Sequence, residues 1–163
     1  MRSFTIRQTT RLFSWTFLTL ALGLVQAQAK TDFSGTWKVN AAKSDFGPMP
    51  APDTMTEKIT HQDPSLKANV ASTGGPQGDM TYDINYTTDG KECVNHVGDN
   101  EFKSTLNWDG DVLVAETKGS FSGTDFTSKD RWTLSADGKT LTIARHVTSA
   151  MGDADIKLVF DKQ

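Results

Sequence analysis

From Thr54 onward, the chain alternates apolar and polar residues in short runs separated by turn-forming pairs. Alternation with a period of two places successive side chains on opposite faces of a β-strand. Three of the separating pairs are Asp-Gly, at 89–90, 109–110 and 137–138, and this pair favours tight hairpins. The pattern therefore predicts an all-β chain without a major helix, whose ten strands cover 33–39, 54–61, 65–72, 79–88, 91–97, 100–108, 111–118, 124–134, 139–148 and 153–161.

The segment 40–53 interrupts this pattern. It carries Pro48, Pro50 and Pro52, which prevent regular helix or strand there, and Asn40 could cap a single helical turn before them. Two interpretations remain open, an ordered loop that crosses one end of a barrel and a simple connector.

The hairpins predict which side chains share a face, because residues opposite each other in a ladder must do so. Across 89–90, Tyr86 opposes Cys93, and across 109–110, Leu106 opposes Leu113. One face of this region then collects Met80, Tyr82, Ile84, Tyr86, Asn95, Phe102, Ser104, Leu106, Trp108, Leu113, Ala115 and Thr117. We predict that this face points inward.

The 137–138 hairpin places two charges on the apolar face. There Trp132 opposes Ile143 and Asp130 opposes Arg145. A buried guanidinium needs a carboxylate or a wet cavity. Arg145 could anchor a ligand carboxylate through its planar fork, or it could serve only as the structural partner of Asp130.

Polar residues are frequent on the predicted inner face. A closely packed core does not favour them, whereas a barrel that encloses water and a ligand does. The alternative is that their strand ends splay outward to solvent. Our candidate ligand-binding residues are Arg145, Asp130, Tyr82, Tyr86, Asn95, Ser128 and Trp132.

The N-terminus predicts export. Three arginines precede an apolar stretch at 12–25, and the small residues Ala27 and Ala29 follow it. This order is typical of a cleaved signal peptide, and the stretch is shorter than the ~20 residues that span a membrane. We expect a signal peptide at 1–29, a mature protein that begins near Lys30, one domain at 30–163, and a periplasmic or extracellular location.

Composition excludes several classes of function. The leader holds three of the 17 basic residues and none of the 20 acidic ones, so the mature chain has a net charge of −6. An acidic chain without a basic block is a poor nucleic-acid binder. Cys93 alone cannot form an internal disulfide. The three histidines are expected at the surface, and we find no metal-ligand spacing, cofactor motif or catalytic motif.

Both ends of the mature chain resemble a known superfamily. The sequence Gly-Thr-Trp-Lys at 35–38 and the end Val-Phe-Asp-Lys-Gln at 159–163 are similar to those of calycins, that is, lipocalins and fatty-acid-binding proteins. The resemblance implies a single up-and-down barrel whose base is plugged by Trp37. Three features depart from the fatty-acid-binding type. The segment 40–53 is too short for its two helices, 156–160 lacks its Arg-x-Tyr, and the chain has an export leader.

These observations favour a non-catalytic binding protein. We expect a monomer that holds a small hydrophobic or amphipathic ligand inside the barrel, and Arg145 would suit an anionic one. The alternative is a structural or interaction module of the cell envelope whose barrel is filled with side chains.

Overall fold

The computed structural model describes residues 30–75, 78–121 and 123–163, and the predicted leader 1–29 lies outside them. These residues form one antiparallel sheet of ten strands in the order β4-β3-β2-β1-β10-β9-β8-β7-β6-β5. The strands are β1 (Gly35–Val39), β2 (Thr54–Gln62), β3 (Ser65–Gly75), β4 (Gly78–Thr87), β5 (Glu92–Val97), β6 (Asn100–Asp109), β7 (Val112–Phe121), β8 (Thr124–Leu134), β9 (Thr140–Ser149) and β10 (Gly152–Lys162). The sheet curls until its two edge strands, β4 and β5, lie side by side, and this gives the predicted up-and-down barrel, nearly closed.

Helical structure is minimal in the described part of the chain. A 3₁₀ turn at Ala41–Lys43 follows β1, and Asn40 caps it as predicted by accepting a hydrogen bond from the backbone N–H of Lys43. No helix among the described residues is long and apolar enough to cross a membrane.

Aromatic side chains close one end of the barrel, which we call the base. Trp37 is fully buried there, as predicted, and its indole N–H donates to the carbonyl oxygen of Phe33 at 2.9 Å. Phe33 stacks on Trp108 and packs edge-on against Trp132. His61 also stacks in this cluster and is buried, so the prediction of a surface histidine was wrong at this position. The N-terminal segment before β1 covers it, since the backbone N–H of Phe33 donates to its ring nitrogen.

The predicted inner face is confirmed on β6 to β9, but one register differs. The 98–99 and 137–138 hairpins have the predicted pairing, with Asn95 opposite Phe102 and Trp132 opposite Ile143. Between β6 and β7, the loop lies at 110–111, and Leu106 opposes Ala115 rather than Leu113. The register is therefore shifted by two residues. A shift of two preserves the face of every side chain, which is why the inner face was still predicted correctly.

The predicted hairpin at 89–90 does not exist, because β4 and β5 are the two edges of the sheet. Thr88 turns the chain away by donating its backbone N–H to the carbonyl of Pro64, and Gly90 donates to the carbonyl of Leu106. The link between β4 and β5 therefore crosses the base. Thr88 fastens it to the β2–β3 turn, and Gly90 fastens it to β6. The predicted opposition of Tyr86 and Cys93 was therefore wrong.

Two side chains of β5, those of Asn95 and Cys93, join the two edges along a line that we call the seam. The amide of Asn95 on β5 accepts from the backbone N–H of Asn85 on β4 at 2.7 Å and donates to its carbonyl at 3.0 Å. It thus makes the two bonds that an opposing peptide would make in a ladder. Nearby, the sulfur of Cys93 accepts from the backbone N–H of Thr87 at 3.1 Å.

The segment 40–53 is ordered by the barrel wall. Asp45 pairs with Lys157 of β10 through two backbone hydrogen bonds of 2.7 Å, and Phe46 packs against the core. The segment ends with the backbone N–H of Asp53 donating to Thr73 near the end of β3. The segment therefore runs from β10 to β3 and extends the wall beyond the short β1. It is an ordered part of the wall and not a simple connector.

Replacement of Asn95 by alanine should loosen the seam without unfolding the barrel. Loss of a hydrogen bond of ordinary strength, about 1 kcal/mol, predicts roughly fivefold faster amide exchange at Asn85. Hydrogen–deuterium exchange followed by NMR measures this. The control is Asn69→Ala, which removes a bond of 2.8 Å to Asp83 on the outer face but leaves the β3–β4 ladder in place. Unchanged protection of Asn85 in Asn95→Ala would show that the seam does not depend on this amide.

Candidate functional site

A charged pair lies inside the barrel on two adjacent strands. Asp130 of β8 and Arg145 of β9 oppose each other in the ladder, as predicted. The guanidinium Nε donates to Oδ1 at 2.8 Å and Nη2 donates to Oδ2 at 2.6 Å. Burial alone would lower the pKa of Arg145, but the charge and hydrogen bonds of Asp130 outweigh that effect and raise it. Arg145 is therefore charged at neutral pH.

The interior around this pair is accessible to solvent. Asp130 retains only 6% of its side-chain exposure, whereas Arg145 retains 36% although its strand position and its partner both place it inward. An inward-facing side chain keeps such exposure where the barrel opens to solvent. We call the interior of the barrel above the aromatic base the lumen.

Glu57 is a third ionisable group in the lumen. It lies on β2, where its ladder neighbours are Trp37 of β1 and Val70 of β3, and only 7% of the residue is exposed. No hydrogen bond to its carboxyl group is found among the described residues. Burial raises the pKa of Glu57 to about 7, since the opposing effect of Arg145 is only partial and Asp130 raises it further.

Two tyrosines face the same group of side chains from β4. Tyr82 is the ladder neighbour of Val70, and Tyr86 that of Leu66. Burial raises the pKa of Tyr82, and it raises that of Tyr86 to about 12, so both phenols stay neutral. They supply the lumen with hydroxyl groups that can donate or accept.

The remaining candidates occupy different places. Asn95 uses its amide at the seam and does not belong to the group around Arg145. Ser128 is buried on β8, opposite Thr117 and Val147. Trp132 is buried toward the base, where its indole nitrogen finds no hydrogen-bond partner among the described residues.

The structure thus brings Asp130, Arg145, Tyr82 and Tyr86 together and adds Glu57, which the sequence analysis missed. A signal for it was present. In the run 54–61, Glu57 has the same parity as Met55 and Ile59, so the period of two already places it on the apolar face. We refer to Glu57, Asp130 and Arg145 as the charged cluster.

The described residues offer no obvious place for a metal ion. No group of three or more His, Cys, Asp or Glu side chains among them is arranged to hold one. The polar side chains of the lumen offer hydrogen-bonding groups and charged groups.

Comparison with known proteins identifies the fold. No protein-family model and no curated protein matches the sequence. The structure is similar to zebrafish ileal bile acid-binding protein complexed with cholic acid, with a TM-score of 0.58 and 18% identity over 80% of this chain and 98% of that one. It is also similar to a secretory abundant heat soluble protein of Ramazzottius varieornatus, with a TM-score of 0.56 and 15% identity over 82% and 100%.

A third similar structure is a Schistosoma mansoni fatty acid binding protein in complex with arachidonic acid. Its TM-score is 0.50 and its identity 14%, over 80% of this chain and 96% of that one. The near-complete coverage of all three chains shows that this chain has the whole of their barrel. The calycin-like fold predicted from the sequence is therefore confirmed.

Arg145→Met should destabilise the fold, because it leaves the carboxylate of Asp130 without its partner in the interior. We expect the free energy of unfolding in urea to fall by about 3–5 kcal/mol, and the double variant Asp130→Leu/Arg145→Met to recover most of that loss. The control is Arg131→Met, which breaks an exposed pair with Asp109 of 3.1 Å and should cost less than about 1 kcal/mol. Equal losses for the two single variants would show that the interior pair does not stabilise the barrel.

Glu57 should make the protein less stable as pH rises. Its folded pKa of about 7 lies above the ordinary value near 4.5, so the folded protein holds a proton that the unfolded chain releases. The contribution of Glu57 to the free energy of unfolding is then highest below about pH 4.5. It declines up to about pH 7, by at most ~3 kcal/mol. Urea unfolding across this range should show that Glu57→Gln loses this decline, whereas Glu116→Gln on the outer surface keeps it. Parallel curves for wild type and Glu57→Gln would contradict the assignment.

Proposed function

We propose that this protein binds a small apolar or amphipathic molecule in the lumen and performs no reaction on it. The observation that carries the proposal is the inward-facing but accessible side chain of Arg145. Space beside buried polar groups is what a ligand cavity requires, and a barrel filled by its own side chains would leave none. The aromatic base closes one end, which leaves the opposite end for entry.

The comparisons support the same proposal. The zebrafish protein holds cholic acid and the schistosome protein holds arachidonic acid, and both have the barrel that this chain has. Cholic acid and arachidonic acid are both amphipathic molecules. The chemistry of the lumen in this chain, and not the barrel itself, must decide which molecule it takes.

We further propose that the protein works outside the cytoplasm as a monomer. The support is the leader pattern at 1–29, with its basic start, short apolar stretch and small residues before Lys30. The acidic mature chain gives no reason to expect a nucleic-acid partner. The alternative is a filled barrel that serves as a structural module of the envelope. The following experiment distinguishes the two.

The full chain, expressed with its leader and recovered from the exported fractions, provides the test. Native mass spectrometry should give a monomer that begins near Lys30 and carries a retained small molecule. After delipidation, the protein should bind about one equivalent of N-phenyl-1-naphthylamine, a neutral fluorescent probe. Absence of both a retained molecule and saturable probe binding would contradict the binding function. An intact leader would contradict only the export proposal.

A pair of alanines supplies a matched control. Ala154 of β10 shares the face of Ile156 and lies opposite Val147, so Ala154→Trp should fill part of the lumen and weaken probe binding. Ala144 of β9 is exposed on the outer face, and Ala144→Trp should leave binding unchanged. Equal effects of the two substitutions would show that the probe does not bind inside.

A further inference from the structure

The charges of the lumen do not balance. Asp130 and Arg145 neutralise each other through two hydrogen bonds. Among the described residues, these two are the only charged groups found to act on Glu57. The cluster as a whole therefore carries one carboxyl group more than it has cations.

Arg145 is poorly placed to receive an anionic head group. Its Nε and Nη2 already bind the two carboxylate oxygens of Asp130, so only the N–H groups on the Nη1 side are left for an incoming carboxylate. A ligand carboxylate would have to share a guanidinium that Asp130 already neutralises. It would also approach Glu57 and Asp130, whose charges repel it.

Glu57, in contrast, is free to accept a ligand. As a residue Glu57 is more than nine-tenths buried, its carboxyl group makes no hydrogen bond to the described residues, and its strand position faces the lumen. A buried carboxylate without a partner is costly, and a cation that donates hydrogen bonds to it removes that cost. The phenol of Tyr82 lies near enough to interact electrostatically with Glu57 and can accept a second hydrogen bond from the same donor.

We propose that the ligand of the lumen is an amphiphile with a protonated amine head group, and that Glu57 receives this head group. The inference rests on the proposed binding function and names the ligand class for it. The preference differs from that for bile and fatty acids, the molecules seen in the similar barrels. The apolar tail would extend among the inward-facing apolar side chains of β6, β8 and β9, which include Phe102, Phe126 and Val147.

The ionisation of Glu57 gives the preference a pH dependence. The groups around it on the surrounding elements are Trp37 of β1, Val70 of β3, Tyr82 and Tyr86 of β4, Asp130 of β8 and Arg145 of β9. The raised pKa values of Tyr82 and Tyr86 keep both phenols neutral near pH 7, and the raised pKa of Arg145 keeps it charged. With the pKa of Glu57 raised to about 7, its carboxylate forms as pH rises from 6 to 8, and affinity for an amine should rise with it.

Calorimetric titration with decylamine, 1-decanol and decanoate tests the proposal, because the three molecules share one tail and differ only in head group. At pH 8, decylamine should bind the delipidated protein at least about tenfold more tightly than the other two, the gain expected from a hydrogen bond between charged groups. Its advantage should shrink at pH 5.5, where Glu57 is protonated. Binding of decanol or decanoate as tight as that of decylamine would overturn the proposal.

Substitution of Glu57 identifies the receiving group. Glu57→Gln should reduce the affinity for decylamine to the value that the same variant shows for 1-decanol. Glu116→Gln, which removes an exposed carboxylate from β7, should keep the preference for the amine. A melting temperature for each variant shows that it is folded. Retention of the amine preference in folded Glu57→Gln would refute the role of this residue.

The two proposals fail in different ways. If neither the three decyl compounds nor N-phenyl-1-naphthylamine binds, the binding function itself is wrong. If the naphthylamine probe binds but decylamine has no advantage, only the ligand class is wrong.

Discussion

A charge removed from water must find a partner, and this constraint organises the interior of the barrel. The aromatic base satisfies it by excluding charge, since Trp37, Phe33 and Trp108 fill that end and His61 lies among them with a pKa that burial lowers. Above the base, Asp130 and Arg145 satisfy it by binding each other. The base of the barrel is therefore a packed aromatic core, and the lumen above it is lined by charged side chains.

Glu57 is the exception to this rule, and an exception of this kind is informative. Evolution and folding both disfavour a buried carboxyl group without a partner, because the barrel would be more stable with an apolar or amide side chain there. Its presence between Trp37 and Val70 costs stability at neutral pH. Residues that lower stability in this way are typical of sites that are completed by another molecule.

The sequence predicted the barrel well because its local signals agree with one another. The period of two and the turn pairs at 98–99 and 137–138 each define a hairpin without reference to the rest of the fold, and both registers are correct. At 109–110 the predicted loop was one residue too early, since Gly110 fits either the first or the second position of a two-residue turn. The side-chain faces were correct in spite of it.

What the sequence could not predict depends on tertiary contacts. The pair at 89–90 has a hairpin sequence, but Thr88 and Gly90 bond to Pro64 and Leu106, which are distant in the chain. The burial of His61 likewise depends on Phe33 from the segment before β1. Glu57 was predictable from parity, whereas the absence of a partner for it becomes visible only when the neighbouring strands are in place.

The seam between β4 and β5 is the one line along which the described strands are joined without a backbone ladder. A ring closed by ladders on all sides has a fixed circumference, because widening it requires rupture of a whole row of backbone bonds. Here the ring closes through the amide of Asn95 and the sulfur of Cys93. Opening the wall along this line therefore requires the loss of three side-chain hydrogen bonds, while every strand keeps its ladder.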